Sequence, residues 1–377
     1  MSVFASLPDQ ELEEATLRRL RRLVELESPS SDPVRLRALA GELAASLAGL
    51  GAEVDTVESE AGEHLVARLT GSDPLLEPIL LLAHMDTVHA VGSFDPVFQV
   101  ADGRASGPGT FDMKGGIACM LEAIARLRQA GSQPRRPVVV LITCDEEAGS
   151  GTSRQLIEDV AGGVHAVLVP EPPLPGGQAK TRRKGVSIYQ IEVEGRASHA
   201  GLAPEKGVNA IVELAHQVLA ITAMADPAAG TTTSVGVVGG GTISNVVPER
   251  AWAHVDVRFT SAAESGRVDR AMRSLRPVLQ GTAVAVEGGV NRPPMELTVA
   301  GVDLYEEARA IAAAEGWELG QGLAGGASDG SFTAGMGVPT LDGIGPDGAG
   351  AHAAHEHVLI ADLPRRVRLY SRLLEIL

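Results

Sequence analysis

The chain predicts an α/β protein with a mainly parallel sheet, interrupted in sequence by a smaller unit of alternating strands and helices. Three observations predict it. Apolar runs at 79–83, 137–143 and 165–170 are separated by helix-period segments, the alternation that builds a parallel sheet. From Gly185 the order changes to strand, helix, strand, strand, helix, strand, which is the split βαβ sandwich and a complete small domain. At 377 residues the chain exceeds what one ordinary core holds, so two domains are expected. The expected division is a first domain formed by 1–183 with 294–377, and an inserted domain at 184–293.

Residues 10–27 and 35–50 carry leucines at helical spacing with charges between them, predicting two amphipathic helices parted by Pro33 and the serine-rich SPSSD. Strands near 52–57 and 64–69 precede Ile79 to Ala83, whose unbroken apolar character indicates a strand buried on both faces. A loop at 89–111, rich in Gly, Asp and Pro, leads through GPGTFDMKGG to a helix from Ile117 to Gln129. The strand PVVVLIT (137–143), a helix near 152–160 and the strand HAVLVP (165–170) follow, and PEPPLPGGQAKTRRKG reads as a linker. The inserted unit is expected as strand 185–195, helix 207–222, strands 232–239 and 251–259, helix 266–279 and strand 282–288, with NRPP (291–294) ending it. The remaining helices, near 301–315 and 361–376, lack enough strands for a domain of their own and return to the first.

Composition narrows the function. Hydrophobic content of 44% and charged content of 21% are those of a soluble globular protein, and 44 Gly with 22 Pro indicate many tight turns. A formal net charge of −16 argues against nucleic acid or an anionic membrane as partner. Cys119 and Cys144 both sit in apolar runs and are expected buried and reduced, with no disulfide framework and no thiolate zinc spacing. No signal peptide and no apolar run near the ~20 residues of a membrane span is visible, so a cytoplasmic location is expected.

The chemistry gathers at strand ends. The run from Ile79 ends in His84, Met85, Asp86; two residues apart on an extended backbone, His84 and Asp86 leave on one face. A carboxylate so placed accepts the second ring N–H of an imidazole whose other nitrogen binds a metal. The next apolar strand ends in CDEEAGSGTS, with the pair Glu146–Glu147, and the third in Glu171 within PEPP. In open α/β sheets this carboxyl edge is where ligands bind. Adjacent acids point in different directions, so one of the pair can coordinate a metal while the other acts as a general base. Asp112, in a Gly-rich loop before a helix, is either a helix N-cap or a carboxylate that bridges two cations. His352, His355 and His357 cluster in a Gly/Ala loop near the C-terminus, where at least one further ligand is expected. Lys114-Gly115-Gly116 lacks the spacing of a phosphate loop. Imidazoles and carboxylates without thiolate suit zinc, with manganese or cobalt as substitutes, and a pair of such cations suits amide hydrolysis.

With these residues in place, the chain resembles the two-zinc carboxypeptidase and deacylase family, which includes glutamate carboxypeptidase, acetylornithine deacetylase and succinyl-diaminopimelate desuccinylase. HMDTV, GPGTFDMKGG, DEEAGSGTSRQLI, PEPP, RKGVSIYQIEVEGRASHAG, GGTISNVVPERAWAHVDVR, GGASDG and GAHAAHEHV follow the family's order over nearly the whole chain. The resemblance implies a three-layer, zinc-exopeptidase-like catalytic domain with a ferredoxin-like lid and dimerisation domain. It implies two Zn2+ per subunit, with Co2+ or Mn2+ as substitutes, held by His84, Asp112, Glu147, Glu171 and His352, Asp112 bridging. Glu146 is then the general base and Asp86 the support of His84. His352 follows from its place four residues before Glu356; the aromatic that usually follows that Glu is His357 here, which keeps His355 and His357 as alternatives. The peptide bond after Asp112 is often cis in the family.

In the inserted domain the resemblance implies that His199 stabilises the oxyanion, commonly across a dimer interface. It makes Asn245 an amide donor and Arg258 the grip on a substrate carboxylate. GGASDG (325–330) supplies further contacts through backbone N–H groups, Ser328 and Asp329. The loops stand nearest the glutamate carboxypeptidase branch, which favours a homodimeric hydrolase releasing a C-terminal glutamate or similar amino acid from a peptide, N-acyl or N-aroyl derivative. Deacylation of N-acetylornithine, succinyl-diaminopimelate or a related N-acyl amino acid is the alternative, with a non-catalytic metal-binding homologue as the remaining one.

Overall fold

The computed structural model describes residues 9–377, and the chain divides into two compact units. The first comprises Met1–Arg182, Leu297–Ala324 and Ser328–Leu377; the second comprises Arg183–Glu296 with Gly325–Ala327. No helix among the described residues is long and apolar enough to cross a membrane.

A six-stranded sheet forms the centre of the first unit, in the order Glu53–Glu58, Glu63–Leu69, Val138–Thr143, Ile79–His84, Ala166–Leu168 and Thr340–Leu341. Its last four strands are mutually parallel, while the first two join as an antiparallel hairpin at one edge. Side-chain alternation splits the buried strand between two cores. Ile79, Leu81 and Ala83 join helices Asp9–Glu25, Pro33–Gly49, Gly115–Gln129, Val299–Ala314 and Leu363–Ile376 on one face. Leu80 and Leu82 face the opposite way, onto Ile157 and Phe332 of helices Arg154–Ala161 and Gly330–Gly335. Helices on both faces make three layers, and they explain why that strand reads as continuously apolar. Each fully buried leucine contributes about 1.5–3 kcal/mol. Cys119 and Cys144 are buried free thiols.

In the second unit, strands Thr232–Gly240, Arg250–Phe259, Gly185–Glu194 and Ala283–Arg292 form an antiparallel sheet in that order. Tyr189, Ile191, Val193, Ala253, Val255 and Val257 point into a core shared with Leu214, Ile221, Val268 and Met272 of helices Ala210–Thr222 and Ala262–Arg273. The intervening Ile188 and Trp252 face outward and are exposed.

Three expectations shift. The helix expected at 266–279 is Ala262–Arg273: Ser261 accepts from the Glu264 N–H as N-cap, and Pro277 cannot lie inside a helix. The stretch read as a linker contains a strand, Ala179–Arg183, paired with Gln321–Ala324. The loop 89–111 contains the hairpin Gln99–Ala101 and Arg104–Ser106, whose second strand pairs with His357–Leu359.

Candidate metal centre

His84 is paired in register with Thr143, so the parallel strands deliver His84 and the turn bearing Glu146 and Glu147 to one sheet edge. Asp86 organises that edge and is fully buried. Its carboxylate accepts the N–H groups of Glu146 (3.2 Å) and Glu147 (3.1 Å) and the Ser30 hydroxyl (2.7 Å). His84 Nδ1 faces both the Asp86 carbonyl oxygen (3.1 Å) and Asp86 Oδ1 (3.4 Å), two acceptors that place the ring proton on Nδ1.

Nε2 of His84 faces Asp112 Oδ1 and Glu171 Oε1, each at 3.3 Å. On the other side of the same aspartate, His352 Nε2 lies 3.5 Å from Asp112 Oδ2 and 3.1 Å from Glu147 Oε2. Asp112 therefore joins two half-sites, one of His84 with Glu171 and one of His352 with Glu147. It does not cap the following helix; it sits in an irregular turn, Thr110–Lys114, and the Asp112–Met113 peptide is cis. His352 adopts φ +62° in the Gly/Ala loop. His355 is exposed, and His357 is buried with Nδ1 on the His355 carbonyl and its backbone paired with Ser106.

The electrostatics call for positive charge. Burial alone favours a neutral His84, yet hydrogen bonds to Asp112, Asp86 and Glu171 hold it well above the usual imidazole range. Hydrogen bonds to Asp112 and Glu147 push His352 up to about 10. Burial raises Glu147 against the opposing pull of His352; burial would also raise Asp112, but the two imidazoles hold it well below the carboxylate range. A cation supplies the same charge with both rings neutral. The donor set fits one: ligand atoms of His84, Asp112 and Glu147 all lie within 4.8 Å of one another. Ligands about 2.0–2.1 Å from a tetrahedral zinc stand about 3.3 Å apart, the spacing found here. Glu147 Oε1 is also buried without a hydrogen-bond partner.

Two residues given no site role in the sequence analysis support the cluster. Glu356 is fully buried and accepts from Phe111, Asp112 and Gly109 N–H groups and from His89 Nε2. His89 and Glu356 are 267 residues apart, so no sequence period marks the pair.

Ser328 and Asp329 are buried, and their side chains are committed to the interior. The Ser328 hydroxyl donates to Asp342 (2.6 Å), while Asp329 accepts from Thr143 (3.0 Å) and Ser150 (2.5 Å). The other three candidates belong to the second unit. His199 is exposed, and its Nδ1 accepts the N–H groups of Gly201 and Leu202, each at 3.1 Å. Asn245 is exposed, with its carbonyl bonded to Ala200 N–H. Arg258 is half-buried on strand Arg250–Phe259, its Nε and Nη2 each 2.8 Å from the Asp256 carboxylate.

Residues 80–376 match the family model described as peptidase family M20/M25/M40. Carboxypeptidase G2 of Pseudomonas sp. (strain RS-16) is 32% identical over 372 residues, covering 96% of this chain and 88% of that protein. A succinyl-diaminopimelate desuccinylase of Methylorubrum populi is 33% identical over 382 residues, covering 93% and 95%. Among solved structures, aminopeptidase PepT from Bacillus cereus superposes with a TM-score of 0.78 at 22% identity, covering 96% of this chain and 98% of that one. The M20 family metallo-carboxypeptidase Sso-CP2 from Sulfolobus solfataricus gives 0.72 at 17% identity, covering 95% and 98%. At those identities the structural likeness speaks for the fold alone.

Proposed function

The chain belongs to peptidase family M20/M25/M40, and from that premise we propose that it is a dinuclear metallohydrolase releasing a C-terminal amino acid, glutamate favoured, from a peptide, N-acyl or N-aroyl derivative. The observation that carries the reading is the pair of histidine–carboxylate half-sites meeting on Asp112. His84, Glu171 and Asp112 would hold one cation and His352, Glu147 and Asp112 the other, zinc by donor chemistry, with cobalt or manganese as substitutes. Such cations polarise an amide carbonyl and make water nucleophilic near neutral pH.

The chain's own residues do the rest. Glu146, on the turn held by Asp86, takes a proton from the attacking water and delivers it to the leaving amine. Asp86 keeps the His84 tautomer fixed. His199, whose Nδ1 accepts two N–H groups, keeps its Nε2–H as the donor for an oxyanion. Arg258, two of its N–H groups oriented by Asp256, is the anchor for the substrate carboxylate, and Asn245 is a second donor. Ser328 and Asp329 contribute through the backbone and loop shape, their side chains being held inside.

The same reading makes 1–183 with 294–377 the catalytic domain and 184–293 a lid that pairs with a second copy. Exposed Val237 and Val238 on strand Thr232–Gly240, with Ile211, Val212 and Leu219 on helix Ala210–Thr222, support a homodimer through that domain. A cytoplasmic location belongs to it as well, in keeping with two free thiols. The second reading, an N-acyl amino acid deacylase, is favoured by the desuccinylase relatives at 31–33% identity. Hydrolysis of a folate-type N-aroyl-glutamate, N-acetylornithine and N-acetyl-methionine by the metal-loaded protein, side by side, separates them. Preference for the glutamate compound supports the carboxypeptidase reading, and preference for either other compound moves the protein to the deacylases.

A further inference from the structure

Glu356 is placed four residues beyond His352, and its carboxylate lies in none of the ion pairs of the metal cluster. It is fully buried, where a carboxylate is retained only if its oxygens are satisfied. Oε1 accepts the Phe111 and Asp112 N–H groups, both at 2.8 Å. Oε2 accepts the Gly109 N–H at 3.0 Å and His89 Nε2–H at 2.6 Å. Only an ionised carboxylate offers acceptors on both oxygens to four donors; a glutamine turns an NH2 toward two of them. The donors are specific in origin. Three belong to the loop that carries Asp112, including the amide of Asp112 itself, so the bond fixes the backbone from which that side chain projects. The fourth, His89, belongs to the segment that follows His84 and Asp86. Gly109 reaches its bond with φ +75°, a conformation that glycine favours. Just beyond Glu356, strand His357–Leu359 pairs with Arg104–Ser106, which ties the His352 loop to the same region.

We propose that Glu356, assisted by His89, is the positioning residue of the metal centre: it locks the loops bearing Asp112 and His352 to the segment that follows His84, so that a single aspartate faces both half-sites. The proposal rests on the reading of Asp112 as a metal ligand. A buried acid that served folding alone would satisfy the same N–H groups but would leave cation affinity unchanged in a folded variant.

The test uses the full chain, stripped with a chelator and titrated with Co2+ alone, by calorimetry and by the visible cobalt spectrum, for wild type, Glu356→Gln, His89→Ala and Asp112→Asn. Loss of a residue that orients a metal ligand weakens metal binding about 10–100-fold, and that loss with an altered cobalt band is expected for Glu356→Gln. His89→Ala removes one donor of four and keeps the other three on the carboxylate; a smaller weakening of the same kind is expected, and it carries the test if Glu356→Gln does not fold. Unchanged affinity and spectrum in either folded variant, with Asp112→Asn weakened, overturns the positioning role while the ligand reading stands. Unchanged binding in Asp112→Asn removes the ligand reading, and this inference with it.

Discussion

Each unit contains a fully buried glutamate, and the two differ in what hangs from them. In the second unit Glu213 accepts from Val278 and Leu279 N–H groups, the Thr282 hydroxyl and the Gln217 amide, closing the segment after helix Ala262–Arg273. In the first, Glu356 also makes four bonds, three of them to the loop whose Asp112 lies between two imidazoles and the fourth to His89. The surrounding charge differs too. Acidic and basic residues are equal in number between 183 and 296, so the formal net charge of −16 belongs entirely to the first unit. One device thus serves two ends. Where the neighbours are apolar and the charges balanced, a buried carboxylate supplies stability. Where carboxylates crowd together, it braces the loop that carries Asp112.

That contrast can be broken at several points. The largest effect is expected from Glu146→Ala, which should lower kcat by about 10²–10⁴-fold; metal content by elemental analysis should match wild type, and hydrolysis that survives with metal retained contradicts the general-base role. Next is metal removal. Chelation should abolish hydrolysis and lower the melting transition of the first unit, since a ligand at a hundred times its Kd stabilises by about 2.7 kcal/mol. The second unit's transition should not move, which differential scanning calorimetry can resolve.

Glu213→Gln should destabilise the second unit by about 1–3 kcal/mol, the cost of leaving buried donors unsatisfied, and leave Co2+ affinity alone. The effect has a pH signature. Burial would raise the Glu213 carboxyl, but the Leu279 and Val278 N–H groups, Gln217 and Thr282 together hold it below the usual value. A depressed folded pKa contributes stability above the unfolded value, about 4.3, and loses it as the pH falls through the folded one. The stability gap between wild type and Glu213→Gln should therefore be full at neutral pH and shrink below about pH 4. The smallest effect on folding is expected from Val237→Asp at an exposed position, within about 0.5 kcal/mol. Sedimentation velocity should show its consequence as a shift from dimer to monomer; a wild type that sediments as a monomer removes the dimer from the account.

The sequence showed most clearly what depends on local period. The buried strand, its two parallel neighbours and the five long helices of the first unit follow from apolar spacing, and His84, Glu147 and Glu171 lie just where such strands stop. Residues whose role depends on a distant partner were harder to read. Asp112 as a cap or as a bridge differs only in where its carboxylate turns, which depends on His352 far along the chain. His89 carries no periodic or motif signal because its partner is Glu356. Ser328 and Asp329 sit in a Gly-rich loop that suggests exposure, yet their side chains close onto Asp342, Thr143 and Ser150. Short strands such as Ala179–Arg183 depend on a partner strand rather than on their own composition, here a basic one.

The most direct test of the central claim is the number of cations bound per chain, by calorimetric Co2+ titration of the metal-free wild type and Asp112→Asn. Two half-sites that share one aspartate predict two equivalents for wild type and loss of tight binding at both in the variant. A single equivalent in wild type, or a variant that keeps both, would contradict a centre built on Asp112.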